Sequence, residues 1–312
     1  MTKKRLYGKV ETLKLVLLLL FAVLLLLNTK EIGLATQKGI RLCYTVIIPS
    51  LFPFFILSRM ITPLLSRVNT EKIGLFTKIF HISPTGKSAL LLGLISGFPI
   101  GAKTVASLYK TGDLTKEEAF RLLCFCNNTG PAFVIGTVGT LFHSLPFGIF
   151  LYLLQIFLAS VTGIVLGLGK KEKPHAKPTP ARNKKEDIQS FPEIVLDSGA
   201  AVLKVSVFVV AFQILLGVVS PIIKNPIASA LLSSILEIGT AVSSAGELLS
   251  VTPALAAGLA AFSICFSGFS VFMQSESFLK EAELSVFPTL PIKLLQGLLS
   301  AIIASLASPL FF

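Results

Sequence analysis

The chain contains 312 residues, of which 53% are hydrophobic and only 14% are charged, and its mean hydropathy is +0.81. A soluble domain carries roughly a quarter charged residues, so this composition excludes an ordinary soluble protein and indicates an all-α polytopic membrane protein. The formal net charge of +12 could suggest a nucleic-acid partner, but many basic residues cluster at the N-terminus and in residues 170–192, beside apolar segments. That distribution follows the positive-inside rule. It predicts the lipid bilayer, and no nucleic acid, as the partner.

The first predicted element is an N-terminal transmembrane helix within residues 1–34. A basic start precedes an uninterrupted apolar run over residues 15–27, and no convincing small-residue cleavage site follows it. We therefore expect an uncleaved helix with a cytoplasmic N-terminus, in a multi-pass protein of the cell membrane. A second apolar span covers about residues 42–65, and Pro49 and Pro53 are expected to kink it, because proline removes a backbone donor.

The next two apolar segments, 88–108 and 118–141, each contain strong helix breakers. The breakers are Gly97, Pro99, Gly101, Gly130 and Pro131. Unpaired backbone groups are costly in hydrocarbon, so irregular backbone at membrane depth must be covered by protein or line a water-filled cavity. The two breaks therefore predict a binding site at membrane depth, with the breakers as gating positions. Between the breaks, Thr115 and Glu118 form a capping box that begins the second helix.

A further span is predicted at about residues 147–168. The charged and proline-rich residues 170–192 then form a basic linker that, like the N-terminus, should be cytoplasmic. An even number of crossings must separate two cytoplasmic regions, yet five apolar segments precede the linker. One segment must therefore turn back, and residues 88–108 are the best candidate for a re-entrant hairpin because charged loops flank them on both sides.

The second half of the chain resembles the first. Its apolar segments cover about residues 194–220, 227–249, 253–275 and 289–312. A shift of the numbering by 141 places the SALL sequence that begins at Ser88 on the one at Ser229, and it places Cys124 on Cys265. We therefore predict an N-terminal helix and two repeats, over residues 40–169 and 193–312. Three crossings per repeat would make them inverted repeats with broken or re-entrant helices, as in many secondary transporters. Whether 88–108 or 227–249 is re-entrant stays open.

Three stretches carry a resemblance to a known family. GFPIGA at 97–102, YKTGDLTKEEAFRLLCFCNNTGP at 109–131 and FSGFSVFMQ at 266–274 resemble the YlbJ-type sporulation integral membrane proteins, within the nucleoside recognition or Gate superfamily. The resemblance covers most of residues 40–312. It implies a role in sporulation and in spore cortex formation. It also implies transport of dipicolinate out of the mother cell across the outer forespore membrane.

A site for dipicolinate, a flat dianion, needs directed donors and positive potential. The predicted substrate-binding residues are Asn127, Asn128, Thr129, Lys103, Ser267, Ser270 and Gln274. Amides and hydroxyls would supply hydrogen bonds and Lys103 would supply charge. Alternatively, the asparagines cap the broken helices and Lys103 snorkels to the surface. Glu237 is expected to face a cavity, to act as a proton-coupling group, or to pair with Lys204.

Two functions remain open. The leading hypothesis is a transporter of a small anionic solute that gates one repeat against the other. The alternative is a structural membrane component, a scaffold of spore envelope assembly without transport activity. A homo-oligomer or sporulation membrane partners are possible in either case. No enzyme activity, cofactor or metal site is predicted, because no Cys/His cluster, paired catalytic carboxylates or nucleophile motif is visible. Gln155 and Gln213 are expected to be interhelical hydrogen bonders.

Overall fold

The computed structural model describes residues 2–67, 74–169, 190–219 and 222–312, and only the backbone of residues 2–10, 62–67 and 74–76. The α-helices in these ranges are α1 (Thr2–Leu27), α2 (Thr29–Leu42), α3 (Ile48–Arg67), α4 (Gly74–Phe80), α5 (Gly86–Ser96), α6 (Ile100–Lys110), α7 (Lys116–Cys126), α8 (Gly139–Leu141), α9 (Leu145–Gly167), α10 (Phe191–Val219), α11 (Pro226–Leu236), α12 (Ile238–Glu247), α13 (Pro253–Phe266), α14 (Gly268–Leu279) and α15 (Leu290–Ala307). Two π-helices, Cys43–Ile47 and Ala132–Val138, and three short 3-10 helices, Lys280–Ala282, Phe287–Thr289 and Ser308–Leu310, complete these elements. Most of the predicted basic linker lies outside the described residues.

The predicted all-α membrane architecture is confirmed. Five stretches of the described chain are long and apolar enough to cross a bilayer, and they are Thr29–Ile61, Leu145–Gly167, Phe191–Val219, Pro253–Ala282 and Phe287–Leu310. Each exceeds the roughly 20 residues that a crossing needs. The span predicted at 42–65 begins earlier than expected, because α2 runs directly into it. The orientation of the N-terminus stays a prediction.

The helix that carries Pro49 and Pro53 changes its geometry just before them. In the π-helix Cys43–Ile47, the amide of Ile48 donates to the carbonyl oxygen of Cys43, five residues earlier. Proline removes a backbone donor and crowds the preceding turn, and a π-turn is one way in which a helix absorbs such a defect. α3 then remains helical through both prolines.

α5 and α6 form a helical hairpin. Gly97, at its tip, has a φ of 72°, a left-handed conformation that glycine adopts without a steric penalty. At its base, the hydroxyl of Thr85 donates to the carbonyl oxygen of Asp113 over 3.2 Å. The chain therefore breaks where GFPIG predicts and returns to the side from which it came. Its placement in a bilayer as a re-entrant hairpin stays a prediction.

The second break lies in the predicted helix over residues 118–141. Thr115 caps the start of α7 by accepting a hydrogen bond from the amide of Glu118 over 3.2 Å. The carboxylate of Glu118 accepts a hydrogen bond from the amide of Ser83 over 2.6 Å. α7 ends at Cys126, and the chain is non-helical over residues 127–130 before the second π-helix begins.

The second half of the chain repeats this order. α10 is followed by α11 and α12, which are broken at Glu237, by α13 and α14, which are broken at Ser267, and by α15. The first hairpin contacts the break that follows it, because the amide of Phe98 donates to the carbonyl oxygen of Asn128 over 2.7 Å. Likewise, α11 and α12 form a second hairpin. A Cβ on Gly268 would lie 3.2 Å from the carbonyl oxygen of Leu236, at the tip of this hairpin. The shared order supports the predicted repeat, whereas inverted orientation and the domain limits stay predictions.

Small residues bring α13 and α15 close together. A Cβ on Gly258 would lie 3.3 Å from the carbonyl oxygen of Ala301, and the hydroxyl of Ser300 donates to the carbonyl oxygen of Ala261 over 3.0 Å. Small side chains allow such close backbone approach between helices in an apolar environment. This pairing anchors α15, whose first turn carries Lys293, against the helix that ends at Ser267.

Candidate functional site

The broken helices of the two halves meet in the interior. The hydroxyl of Thr129 donates to the carbonyl oxygen of Ile264 over 2.8 Å, and the amide nitrogen of Asn127 donates to the hydroxyl of Ser275 over 2.9 Å. Asn127 and Thr129 are buried, with 5% and 0% of their surface exposed. These bonds cross from one half to the other, so the non-helical residues 127–130 lie at the junction of the halves.

A glutamine holds this non-helical segment in place. The side-chain oxygen of Gln155, on α9, accepts from the amide of Thr129 over 3.1 Å, and its nitrogen donates to the carbonyl oxygen of Thr129 over 2.8 Å. Buried backbone outside a helix needs such partners. Gln213, on α10, donates to the hydroxyl of Thr240. Gln213 therefore forms a hydrogen bond between helices, as predicted, whereas Gln155 bonds to the non-helical segment.

A small cavity lies beside Asn127, and we call it the lysine cavity. Its lining residues are Asn127, Phe266, Ser267, Val271, Phe272, Val286, Thr289 and Lys293. Its volume is about 10 Å³, which is close to the space that one water molecule needs. Polar groups from both halves thus face a shared but closed hollow.

Lys293 gives this cavity a positive charge. The residue is buried, with only 3% of its surface exposed, and its Nζ donates to Oδ1 of Asn128 over 3.1 Å. The nitrogen of the same amide donates to the carbonyl oxygen of Phe125 over 2.7 Å, so Asn128 caps α7 and also positions the lysine. Lys293 takes part in none of the described ion pairs. Oδ1 of Asn127 has no hydrogen-bond partner among the described residues.

Sequence reasoning missed Lys293 and Gln296, which lie one turn apart on α15. The nitrogen of Gln296 donates to the hydroxyl of Thr162 over 2.7 Å and to the carbonyl oxygen of Cys124 over 3.3 Å. The signal was a lysine within the apolar segment 289–312. Burying a charge in apolar surroundings is costly unless it is paired or hydrogen-bonded, so such a lysine indicates a specific partner or ligand.

Lys103 lies apart from the other predicted site residues. It is half-buried and lines neither of the two small cavities described in this section, and its Nζ lies 5.8 Å from the ring centroid of Phe278. The Nζ of Lys204 lies 3.8 Å from the same centroid and donates to the carbonyl oxygen of Ser277 over 3.4 Å. Pairing of Lys204 with Glu237, one of the alternatives that the sequence left open, is not among the described ion pairs. An aromatic face attracts a cation without neutralising it, and this accounts for the position of Lys204.

A second cavity lies beside Thr129 and Gly130, and we call it the glutamate cavity. Its lining residues are Ile47, Leu51, Phe98, Thr129, Gly130, Phe133, Val205, Val209, Glu237, Ile238 and Gln274. Its volume is also about 10 Å³. Apolar side chains make up most of this wall, so the few polar groups in it are poorly screened from one another.

Glu237 is the charged group of this wall. It lies at a helix break and caps α12, whereas the sequence suggested the middle of a helix. Its carboxylate accepts hydrogen bonds from the amide of Gly239 over 3.0 Å and from the amide and hydroxyl of Thr240 over 2.7 and 2.8 Å. The residue is fully buried. A carboxylate at this position satisfies free amides and complements the positive end of the helix.

Of the remaining predicted residues, Ser267 and Gln274 line different cavities and Ser270 lines neither. Ser267 has a left-handed φ of 75° and lines the lysine cavity. The hydroxyl of Ser270 accepts from the nitrogen of Gln274 over 3.1 Å. The oxygen of Gln274, which lines the glutamate cavity, has no partner among the described residues. The structure therefore arranges the expected polar groups around two hollows and not one.

Comparison with known proteins identifies a relative whose sequence aligns with nearly the whole chain. No protein-family model and no solved structure matches the chain. The chain is similar to the sporulation integral membrane protein YlbJ of Bacillus subtilis (strain 168), with 25% identity in an alignment that covers 96% of this chain and 83% of the relative. Membership of the Gate superfamily stays a prediction. The similarity confirms the resemblance to the YlbJ-type sporulation integral membrane proteins over nearly the whole chain.

Proposed function

We propose that this protein is a sporulation membrane transporter that moves a small anionic solute, dipicolinate, across the outer forespore membrane, where spore cortex formation needs it. The lysine cavity carries this proposal, because a buried cation lies where the broken helices of the two halves meet. The similarity to YlbJ supports the sporulation setting.

The groups of the lysine cavity suit an anion. Lys293 makes one described hydrogen bond, to Asn128, and an ammonium group has three N–H donors, so two remain for a carboxylate. Asn127 and Ser267 line the same cavity and offer an amide and a hydroxyl as directed contacts. Lys293 therefore takes the role that the sequence assigned to Lys103.

The cavity must open before a solute can enter. Its volume of about 10 Å³ is far below the roughly 300–1,000 Å³ of pockets that hold small molecules. We therefore interpret this conformation as closed. Transport by rocking one half against the other would separate Asn127, in the first half, from the walls that α13, α14 and α15 supply in the second half. The non-helical residues at each break would absorb the movement.

The test is uptake of radiolabelled dipicolinate by proteoliposomes that contain the purified protein, with and without a proton gradient. We expect saturable uptake by the wild-type protein and a more than tenfold lower initial rate for Lys293→Gln. Lys103→Gln removes the same charge from a lysine outside both cavities and serves as the matched control, with less than a twofold effect expected. Asn127→Ala, Asn128→Ala and Glu237→Gln are also expected to abolish uptake.

Each outcome of this test has a defined meaning. Thermal unfolding in detergent, measured for every variant, identifies a variant that has lost its fold. Wild-type protein without saturable uptake would reject transport of dipicolinate and favour the scaffold hypothesis. Equal effects of the two lysine substitutions would reject the lysine cavity as the substrate site while leaving transport intact.

A further inference from the structure

The glutamate cavity contains a buried carboxyl group, and no basic residue is in its lining. The carboxylate of Glu237 is bonded only to the neutral donors of Gly239 and Thr240. None of the described ion pairs includes it. Lys38, exposed on α2, attracts the carboxylate but forms no described ion pair with it. A buried charge without a counter-charge is costly in apolar surroundings, so this site is electrostatically incomplete.

A second and independent feature points into the same cavity. Gln274 is buried, with 1% of its surface exposed. Its side-chain nitrogen donates to the hydroxyl of Ser270, and its side-chain oxygen has no partner among the described residues. A buried acceptor without a partner costs roughly 1–3 kcal/mol. The side chain cannot supply the missing positive charge, and its free oxygen is itself an acceptor. A cation would therefore satisfy both the carboxylate of Glu237 and the free oxygen of Gln274.

The available ligand atoms are all oxygens. Glu237 offers a carboxylate and Gln274 offers an amide oxygen, and Thr129 and Gly130 also line the cavity. Oxygen ligands favour hard cations. Because Glu237 is the only carboxylate in this lining, a monovalent ion would neutralise the charge, whereas a divalent ion would leave an excess. The volume of about 10 Å³ admits one small ion.

We infer that the glutamate cavity is a binding site for a small monovalent cation, Na⁺, held by the carboxylate of Glu237 and the side-chain oxygen of Gln274. The site does not depend on which solute the protein carries. Phe98, at the tip of the first hairpin, and Glu237, at the tip of the second, both line it. An ion bound here would therefore hold the two tips together. If the protein is the transporter proposed above, Na⁺ would be its coupling ion.

The direct test is binding of radiolabelled ²²Na⁺ to the purified full-length protein in detergent, with no solute present. The pH is fixed and choline chloride keeps the ionic strength constant. We expect saturable binding by the wild-type protein, and an increase in the thermal unfolding temperature with Na⁺ that choline does not reproduce. Gln274→Leu, which retains the carboxylate and the helix cap, is expected to weaken Na⁺ binding more than tenfold.

Two further variants separate the site from a general effect of charge. Glu237→Gln retains a capping acceptor and should abolish Na⁺ binding and Na⁺-dependent stabilisation. Glu247→Gln removes a carboxylate from the exposed end of the same helix and should leave both unchanged. Absence of saturable Na⁺ binding by the wild-type protein would overturn the inference. It would mean that the cavity holds only water or that Glu237 carries a proton. Equal binding by the wild type and by folded Gln274→Leu would also overturn it. Because no solute is used, none of these results depends on dipicolinate transport.

Discussion

The lysine cavity and the glutamate cavity are nearly equal in size and opposite in charge. Each has a volume of about 10 Å³ and is bordered by part of the non-helical segment 127–130. Lys293 gives one a positive charge and Glu237 gives the other a negative charge, and neither residue takes part in a described ion pair. The two charges are thus kept in separate hollows and do not neutralise each other directly. This arrangement suits a protein that binds an anion and a cation at neighbouring sites.

The repeat relation shows where this difference comes from. The shift of 141 residues places Ser96 on Glu237 and Tyr152 on Lys293, while Gln155 falls on Gln296. The charged member of each unequal pair lies in the second half, and the first half keeps a neutral polar residue. Tyr152 donates to the carbonyl oxygen of Leu94 over 2.9 Å, which is a structural bond. At these equivalent positions of the predicted repeat, the charged side chains therefore belong to the second half.

The largest effect is expected from a change that collapses both cavities together. A Cβ on Gly97 would collide with the amide nitrogen of Gly130, and the φ of 72° adds backbone strain. We expect Gly97→Ala to destabilise the protein by about 3 kcal/mol, measured by chemical unfolding in detergent, with loss of both ligand responses. Gly112→Ala is the control, because Gly112 has a φ of 79° and open space around its Cβ. Its cost should be about 1 kcal/mol. Equal costs would show that contact with Gly130 is unimportant.

A smaller effect is expected from loosening the segment that the two cavities share. Gln155→Leu leaves the amide and the carbonyl oxygen of Thr129 without their side-chain partner. Because both groups are buried, we expect the free energy of unfolding to fall by about 2 kcal/mol. The loss should weaken solute and Na⁺ binding to a similar degree, because Thr129 belongs to the shared segment. Gln296→Leu, at the equivalent position, removes side-chain bonds to Cys124 and Thr162 and should weaken solute binding alone. The same profile for both variants would contradict this division.

The next prediction separates the cavities by charge. Lys293→Gln should weaken dipicolinate binding more than tenfold, or about 1.4 kcal/mol, and should change Na⁺ binding in the absence of solute less than twofold. Glu237→Gln should show the reverse pattern when solute binding is measured without Na⁺. Both are measured by equilibrium binding to the purified variants. If each substitution weakened both ligands equally, the two cavities would form one site.

Much of the fold is predictable from this sequence because apolar length and helix breakers act locally. The breaks at Gly97 and at residues 127–130 follow from glycine, proline and paired asparagines in otherwise apolar segments. The position of the break at Glu237 was not predicted, because LLSSILEIGTAV contains no proline. There, the tertiary contact with Gly268 and the cap on α12 decide the geometry.

The site was predictable only in part, since its charge comes from distant positions. The asparagines mark themselves by their spacing, but Lys293 reaches Asn128 across 165 positions of the chain. The sequence favoured Lys103 because it is the cation inside the segment 88–108, just past the GFPIG break. Its ammonium group instead lies over the ring of Phe278. Only the packing of α15 against α13 shows which lysine meets the broken helices.

The smallest expected effect concerns the basic linker and separates transport from scaffolding. We replace residues 172–189 with a neutral Gly/Ser chain of equal length and retain Lys170 and Lys171, because basic residues near a span help to set its orientation. A transporter whose chemistry lies in the two cavities should keep dipicolinate uptake within twofold and should still support sporulation. A scaffold that recruits partners through the linker should lose sporulation even though the protein inserts normally.

A control chain with the same charges in scrambled order distinguishes loss of sequence from loss of charge. Normal sporulation with the neutral linker, together with failure of Lys293→Gln, would locate the function in the membrane-embedded part. Failure of the neutral linker with full function of Lys293→Gln would reverse that conclusion, and the buried lysine would then be a structural residue. The two changes lie in separate parts of the chain, so their effects are expected to be independent. Opposite outcomes for the linker and the lysine therefore decide between the two functions that the sequence left open.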